Sequence, residues 1–407
     1  MTASRPSGSL RLLASDDLYP AGPDPWAGEP TKVRPADGVF SAGHVPNTPP
    51  NPQHANFAEW EIRRYLQFLD LAEASNWTTP YEVTFGGVNG LAGLAWRGWD
   101  AVGGPNPFVL AGNSSGQIWT STDGVTWTVE ASTLGGEVLV AATHRSSSCA
   151  VLGTAGGSKS VYGYGTGSAS TWTRLVLAGA DTVTCLAVSD SRQEIYVGGL
   201  QTTLTQPRVW VIDDSDPGDI DTATVTTLTR GGVTEAITMI ARSPNHGLAI
   251  GTVHAHVWGN LSGALTASAP SGGLPGGYEY RWVVWDEENS VFVVGGDEVG
   301  GGAKVWTVQD PFSAWVEVAD LPDVQFTPGC SAVRGATIVA GVSHAPRLLI
   351  SSDAGVTWTS CVDPTRRITS APVGVIRRIV LAGNRFLAGR YRAAGVCQLA
   401  EAIRLGR

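Results

Sequence analysis

One phrase of apolar and small residues recurs along the chain. An apolar run closes on glycine, a short gap follows, and a second apolar run comes next, often with Val-Trp. The first half reads Phe108-Val-Leu-Ala-Gly112, Ala150-Val-Leu-Gly153, Ile195-Tyr-Val-Gly198, Leu248-Ala-Ile-Gly251, Val291-Phe-Val-Val-Gly295, Thr337-Ile-Val-Ala-Gly341 and Phe386-Leu-Ala-Gly389. The second half reads Ile118-Trp119, Val161-Tyr162, Val209-Trp210, Val257-Trp258, Val305-Trp306, Leu348-Leu349 and Val396-Cys397. Short runs rich in β-branched and aromatic residues, punctuated by glycine, predict strands joined by tight turns.

Each copy carries a further apolar segment upstream: Leu91–Trp96, Val138–Ala142, Val183–Val188, Ile237–Ala241, Arg281–Trp285, Cys330–Val333 and Val375–Leu381. Their near-continuous apolar character predicts strands buried on both faces, the innermost of each unit. An outermost strand follows the phrase and often carries a tryptophan: Trp127, Trp172, Trp315 and Trp358. The copies around Thr224–Leu228 and Leu265–Ser268 lack it. A large indole there can cover the gap between neighbouring units.

From Gly112 through Gly153, Gly198, Gly251, Gly295 and Gly341 to Gly389 the steps are 41, 45, 53, 44, 46 and 48 residues. A four-stranded propeller blade uses roughly 40–50 residues. The seventh copy stops after its third strand, but Asn76-Trp77-Thr78, running toward Phe85, resembles Thr126-Trp127-Thr128 and Thr171-Trp172-Thr173. Residues 76–85 are therefore expected to supply the outer strand of the seventh blade, which would hide edges that otherwise template aggregation. The expected fold is all-β, a seven-bladed β-propeller over 76–407 whose ring is closed by an N-terminal strand.

Ahead of the ring, ten of the 24 prolines fall in the first 52 residues. Such a segment builds no core of its own and reads as an extended arm over 1–52. Yet it carries Leu18, Tyr19, Trp26, Val33, Val39 and Phe40, which suggests a strap laid over a surface, its own or a partner's. Asn51-Pro52 reads as a helix start, and 53–75 as one α-helix with a seam of Ala58, Ile62, Tyr65, Leu69 and Ala72. Phe57, Trp60, Leu66, Phe68 and Leu71 widen its apolar coat, so it packs on the propeller or on other subunits. Trp26, Phe40, Phe57, Trp60, Ile62, Tyr65 and Leu69 are the expected partner-docking residues.

The 407 residues include 51 glycines and 15 tryptophans, and the net charge is −9. That charge argues against a nucleic-acid partner, although from Arg366 onward there are nine arginines and one acid, Glu401. The five cysteines, Cys149, Cys185, Cys330, Cys361 and Cys397, have no metal-site spacing and read as small buried residues. Met1–Ser15 makes a poor signal peptide, and no apolar run is long enough to span a bilayer. No cofactor and no membrane insertion are expected.

Three patterns have chemistry worth weighing. Asp213-Asp214-Ser215-Asp216-Pro217-Gly218-Asp219-Ile220-Asp221 gathers carboxylates around a glycine, as a hard cation would need. Its spacing is not that of an EF-hand, and an acidic solvated turn is the preferred reading, leaving Asp214, Asp216, Asp219 and Asp221 as a weak metal candidate. His254-Ala255-His256 puts two imidazoles on one strand face with His246 nearby in sequence, though exposed or capping histidines are preferred over zinc. Arg281 and Arg377 or Arg378 start inner strands and are candidates to point into the central channel, with Tyr278-Glu279-Tyr280 just before one of them.

The turn Ser351-Ser352-Asp353-Ala354-Gly355-Val356-Thr357-Trp358 matches S-x-D-x-G-x-T-W and so resembles the Asp-box of sialidase-type and related propellers. Ser121-Thr122-Asp123-Gly124-Val125-Thr126-Trp127 is a copy one residue shorter. The resemblance implies a structural role for Ser351, Asp353, Gly355, Thr357 and Trp358, and for Ser121, Asp123, Gly124 and Trp127. Side-chain oxygens cap turn amides, glycine takes the sharp position and tryptophan wedges into the blade. A sialidase-like glycosidase would also need an arginine triad, a Tyr–Glu pair and an acid. No Arg-Ile-Pro signature stands near the first blade, and the chain is expected not to be an enzyme.

The segment Trp26–Leu71 resembles the N-terminal attachment segments of some tailed-phage tail and fibre proteins. There a run such as Trp26-Ala27-Gly28-Glu29-Pro30-Thr31-Lys32 precedes a Pro-rich stretch and a helix with residues such as Asn56, Trp60, Phe68 and Leu69. Joined to a propeller, the resemblance implies a structural virion protein of the tail, baseplate or fibre. Its partners would be other virion proteins and a host-surface glycan, its copies several per particle, and its folding that of the host cytoplasm. A sialidase-like hydrolase and a free carbohydrate-binding propeller are the alternatives.

Overall fold

The computed structural model describes residues 81–84, 91–96, 108–112, 117–121, 127–131, 138–144, 150–155, 159–164, 172–180, 182–188, 194–201, 206–213, 220–229, 234–244, 246–254, 257–260, 274–311, 313–343, 347–362, 376–382, 385–392 and 396–401. The arm over 1–52 and the helix expected over 53–75 lie outside these residues. Trp77–Ile403 forms one compact unit.

The described strands form seven antiparallel sheets. A first strand, β1 (Tyr81–Thr84), stands apart from its chain neighbours, and blade one follows as β2 (Leu91–Trp96), β3 (Phe108–Gly112), β4 (Ile118–Ser121) and β5 (Thr128–Ala131). Blade two is β6 (Val138–His144), β7 (Ala150–Ala155), β8 (Ser160–Tyr164) and β9 (Trp172–Val176). Blade three is β10 (Thr182–Val188), β11 (Glu194–Gln201), β12 (Gln206–Asp213) and β13 (Val225–Thr229). Blade four shows β14 (Ile237–Ser243), β15 (Gly247–Thr252) and β16 (Val257–Asn260); Leu265–Ser268, the expected outer strand, falls outside the described residues. Blade five is β17 (Tyr278–Asp286), β18 (Val291–Glu298), β19 (Ala303–Val308) and β20 (Val316–Leu321). Blade six is β21 (Phe326–Arg334), β22 (Thr337–Val342), β23 (Arg347–Ser351) and β24 (Thr359–Val362). Blade seven is β25 (Ile376–Ala382), β26 (Arg385–Arg392) and β27 (Val396–Glu401), and its fourth strand is β1, with Tyr81 opposite Leu399 and Thr84 opposite Val396.

The innermost strands touch in turn, β2 to β6, β10, β14, β17, β21 and β25, and β25 touches β2 again. Seven sheets meeting around one axis, the last completed by an N-terminal strand, make a closed β-propeller. The core lies between blades. Tyr196 and Val209 of blade three pack on Ile237, Leu248 and Ile250 of blade four. Trp282, Val293 and Val305 of blade five pack on Phe326, Ile338 and Leu349 of blade six.

Every innermost strand is interrupted near its start. One extra residue bulges out at Ala92, Val140, Thr184, Thr238, Arg281 and Arg377, and a longer bulge falls between Phe326 and Ser331 in β21. A bulge re-aims side chains and raises the local twist. In blades two to seven the residue facing the glycine of the repeated phrase comes directly after or at the end of the bulge, whereas in blade one Gly93 lies opposite Ala111. A Cβ added to Gly198, Gly251, Gly295 or Gly341 would come 2.5 Å from Cys185 Sγ, 2.6 Å from Met239 Cε, 2.3 Å from two atoms of the Trp282 indole and 2.6 Å from Cys330 Sγ, respectively. Lack of space for a side chain keeps these positions glycine.

Candidate functional site

The bulges fall at one level of the inner ring, so their residues share one end of the axis. In the six single-residue bulges they read, in blade order, Ala92, Val140, Thr184, Thr238, Arg281 and Arg377; in the longer bulge of blade six the residue ahead of Cys330 is Gly329. Thr184 Oγ1 donates to Gly198 O at 3.0 Å and to Ile237 O of the next blade. Arg281 Nε donates to Asp297 Oδ2 at 2.7 Å, and its Nη2 pairs with Glu279. Asp297 Oδ1 also accepts the Phe326 amide at 2.8 Å, tying blade five to blade six. Burial pushes the Asp297 carboxyl above its ordinary range; the Phe326 amide and Arg281 pull it down by less, and the Glu279 charge adds to the upward push.

Arg281 was a candidate for a substrate carboxylate. The structure instead occupies it with two acids of its own blade. The sequence placed Tyr278-Glu279-Tyr280 ahead of the inner strand, but β17 includes them, because the bulge at Arg281 breaks the alternation that marks a strand.

Blade four adds a second polar group. Glu235 Oε2 accepts Thr252 Oγ1 at 2.6 Å and the His254 amide at 3.1 Å, and Oε1 meets His254 Nδ1 at 2.7 Å. Burial alone would raise the Glu235 carboxyl, but these bonds outweigh it and hold it below its ordinary value. The Tyr280 amide donates to Val253 O at 2.8 Å, joining this turn to blade five. His254 lies in the turn after β15, not on a strand face as expected; the chain leaves its sheet pairing at Thr252. His246 sits before the opposite end of β15, against Trp285 at 5.9 Å between ring centres, so the two histidines do not converge. His256 lies outside the described residues.

The turn ahead of β17 (274–277) and the turn after β18 (299–302) meet each other. Val299 N donates to Gly277 O at 3.2 Å, Glu298 N to Gly302 O at 2.8 Å, and Tyr280 Oη to Pro275 O at 2.7 Å.

The Ser351–Trp358 turn is held by its own side chains. Ser351 Oγ accepts the Gly355 amide at 2.8 Å and donates to Asp353 Oδ1 at 2.8 Å. Asp353 accepts the Thr357 amide at 2.8 Å and the Thr357 hydroxyl at 2.5 Å. Gly355 takes φ +87°, left-handed backbone that favours glycine. Trp358 Nε1 donates to Gly355 O at 2.8 Å, and its ring lies 6.1 Å from both Trp282 and Phe326. The indole thus covers the joint between blades five and six. In the shorter copy Ser121 is buried in β4 and Trp127 stands before β5, whereas Asp123 and Gly124 lie outside the described residues.

The docking residues Trp26, Phe40, Phe57, Trp60, Ile62, Tyr65 and Leu69 also lie outside the described residues, as do Asp214, Asp216 and Asp219. Asp221 stands in a single 3-10 turn, Ile220–Thr222. Among the described residues no three His, Cys, Asp or Glu side chains gather as a metal site. Burial pushes the thiols of Cys185 and Cys330 up to about 12, so both are inert thiols at neutral pH.

No protein-family model and no curated protein matches this chain. Solved structures do. A catalytically inactive variant of virginiamycin B lyase from Staphylococcus aureus, with quinupristin, matches at 9% identity and TM-score 0.59, covering 81% of this chain and 100% of the other. YCF48 bound to D1 peptide matches at 12% identity and TM-score 0.52, covering 82% and 98%. At such identities the shared property is the fold. Sequence reasoning missed Asp297 and Glu235. Asp297 had a signal in the text, an acid directly behind the apolar run and Gly295-Gly296. Glu235 had none, since its partners lie in another turn.

Proposed function

We propose that this chain is a structural and interaction protein of a tailed-phage particle and not an enzyme. Its N-terminal arm and helix, residues 1–75, dock on other virion proteins of the tail, baseplate or fibre. Its propeller is displayed for assembly or for binding a host-surface glycan. What supports this reading is the combination of the Trp26–Lys32 sequence motif and the helical pattern of residues 53–75 in the sequence with a propeller. A propeller by itself leaves function open: one structural neighbour is a lyase and another is bound to a peptide.

The state of Arg281 favours the non-enzyme reading over a sialidase-like hydrolase. A guanidinium already paired with Asp297 and Glu279 is poorly placed to take a substrate carboxylate. Purified particles analysed by mass spectrometry should contain the chain, and deletion of residues 1–75 should release it. Absence from particles would refute this reading, and cleavage of a fluorogenic sialoside that Arg281→Ala abolishes in a folded variant would replace it with the hydrolase.

A further inference from the structure

Glu235 and His254 form an anchored carboxylate–imidazole pair in the turns that flank β14 and β15. Glu235 Oε1 meets His254 Nδ1 at 2.7 Å, and the two side chains are 33% and 58% exposed, respectively. The carboxylate is fixed in place, because its other oxygen accepts the Thr252 hydroxyl at 2.6 Å and the His254 amide at 3.1 Å. Burial pushes the Glu235 carboxyl upward, but the bonds from Thr252 and His254 hold it below its ordinary value, so it is charged at neutral pH.

A charged carboxylate at Nδ1 settles where the ring carries its proton. Such a partner can only accept, so a neutral imidazole keeps its single N–H on Nδ1. Nε2 is left with its lone pair, on the ring edge turned away from Glu235. Among the described residues it has no hydrogen-bond partner. A free histidine divides its proton between the two nitrogens, and the lone pair on Nε2 is then blocked part of the time. An activated imidazole needs what His254 has: an open lone pair on one nitrogen and an orienting acid on the other. His246 gives the contrast. Its ring packs against Trp285, 5.9 Å between centres, with no carboxylate on either nitrogen among the described residues.

We infer that His254 is a nucleophilic imidazole, acylated at Nε2 by uncharged, activated acyl donors. The Nε2 lone pair forms a bond to the acyl carbon, and the leaving group departs with the electrons of the bond that breaks. The Nδ1 proton passes to Glu235 and on to solvent, leaving a neutral N-acyl imidazole. The surroundings favour uncharged donors. Glu235 touches the ring, and Glu279 precedes Tyr280, whose amide donates to Val253 O beside His254. An anionic phosphoryl donor would be repelled by these charges. This reactivity rests on neither reading of the chain's function.

The test is carbethoxylation of the full chain by diethyl pyrocarbonate at slightly alkaline pH. Peptide mass spectrometry follows each histidine, and fragment ions separate His254 from His256. His254 should react several-fold faster than N-acetylhistidine amide and several-fold faster than His246. Glu235→Gln keeps the size but places an N–H donor beside the ring. It should bring His254 down to the rate of the free model, while His246 keeps its parental rate and so reports an intact fold. Ring-nitrogen NMR shifts of His254 should show the proton on Nδ1 in the parent and a mixture in Glu235→Gln. If that variant loses its fold, the parent's rate against the free model and its ring tautomer decide the matter alone. A His254 no faster than the free model, an unchanged rate in folded Glu235→Gln, or a parent ring protonated on Nε2 would overturn the inference.

Discussion

Gly295→Ala puts the packing argument at risk most directly. The added methyl would fall within 2.3 Å of two indole atoms of Trp282 and 2.7 Å of its Nε1. That indole has nowhere to go: Trp282 is 1% exposed, with the Phe326 ring 5.1 Å away and Trp358 beyond. Overpacking of a rigid core costs about 1–3 kcal/mol, and a main-chain-anchored clash with an aromatic ring belongs at the upper end. Gly251→Ala meets Met239 instead, 2.6 Å from its terminal methyl. An unbranched thioether can change rotamer, so that variant should cost about 1 kcal/mol or less. Gly276→Ala, with nothing within 4 Å, should be neutral. Urea unfolding followed by tryptophan fluorescence ranks the three. If Gly251→Ala were as damaging as Gly295→Ala, or if Gly295→Ala matched the parent, close approach would not be what keeps these positions glycine.

Arg281→Met should destabilise by about 3 kcal/mol in the same assay, because it strands the Asp297 carboxylate in a buried place, and Arg281→Lys should recover part of the loss. Trp358→Ala should cost about 3 kcal/mol by opening the joint between blades five and six. Hydrogen bonds from Thr357 and Ser351 hold the Asp353 carboxyl below its usual value despite the opposing effect of burial. The stability they provide is therefore complete above the ordinary aspartate pKa of about 4 and is lost as pH falls through the lower folded value. Asp353→Asn should flatten that part of the acid-unfolding profile.

The blades were legible because their glycines recur, and in blades three to six a steric reason holds them in place. The expected Leu91–Trp96 coincides with β2, and the expected outer strand over 76–85 contains β1. Innermost strands of blades five and six begin earlier than the apolar pattern suggests, since Tyr278–Tyr280 precede a bulge and Phe326 is parted from Ser331 by one, and each bulge resets the alternation. Arg378 was visible as an arginine starting an inner strand, but its hydrogen bond to Val140 O joins residues far apart in the chain.

The pairing of Tyr81 with Leu399 has a consequence for biosynthesis. The ribosome makes β1 before any other described strand and β27 after all of them, so the seventh sheet is the last to be completed. Until β27 emerges, β1 waits with its donors and acceptors open. A message cut short, or a nascent chain clipped at its start, leaves a sticky margin in place of a sealed joint. Ring closure thus makes the two ends of the propeller depend on each other, and a fragment lacking either strand exposes an unpaired edge that favours aggregation.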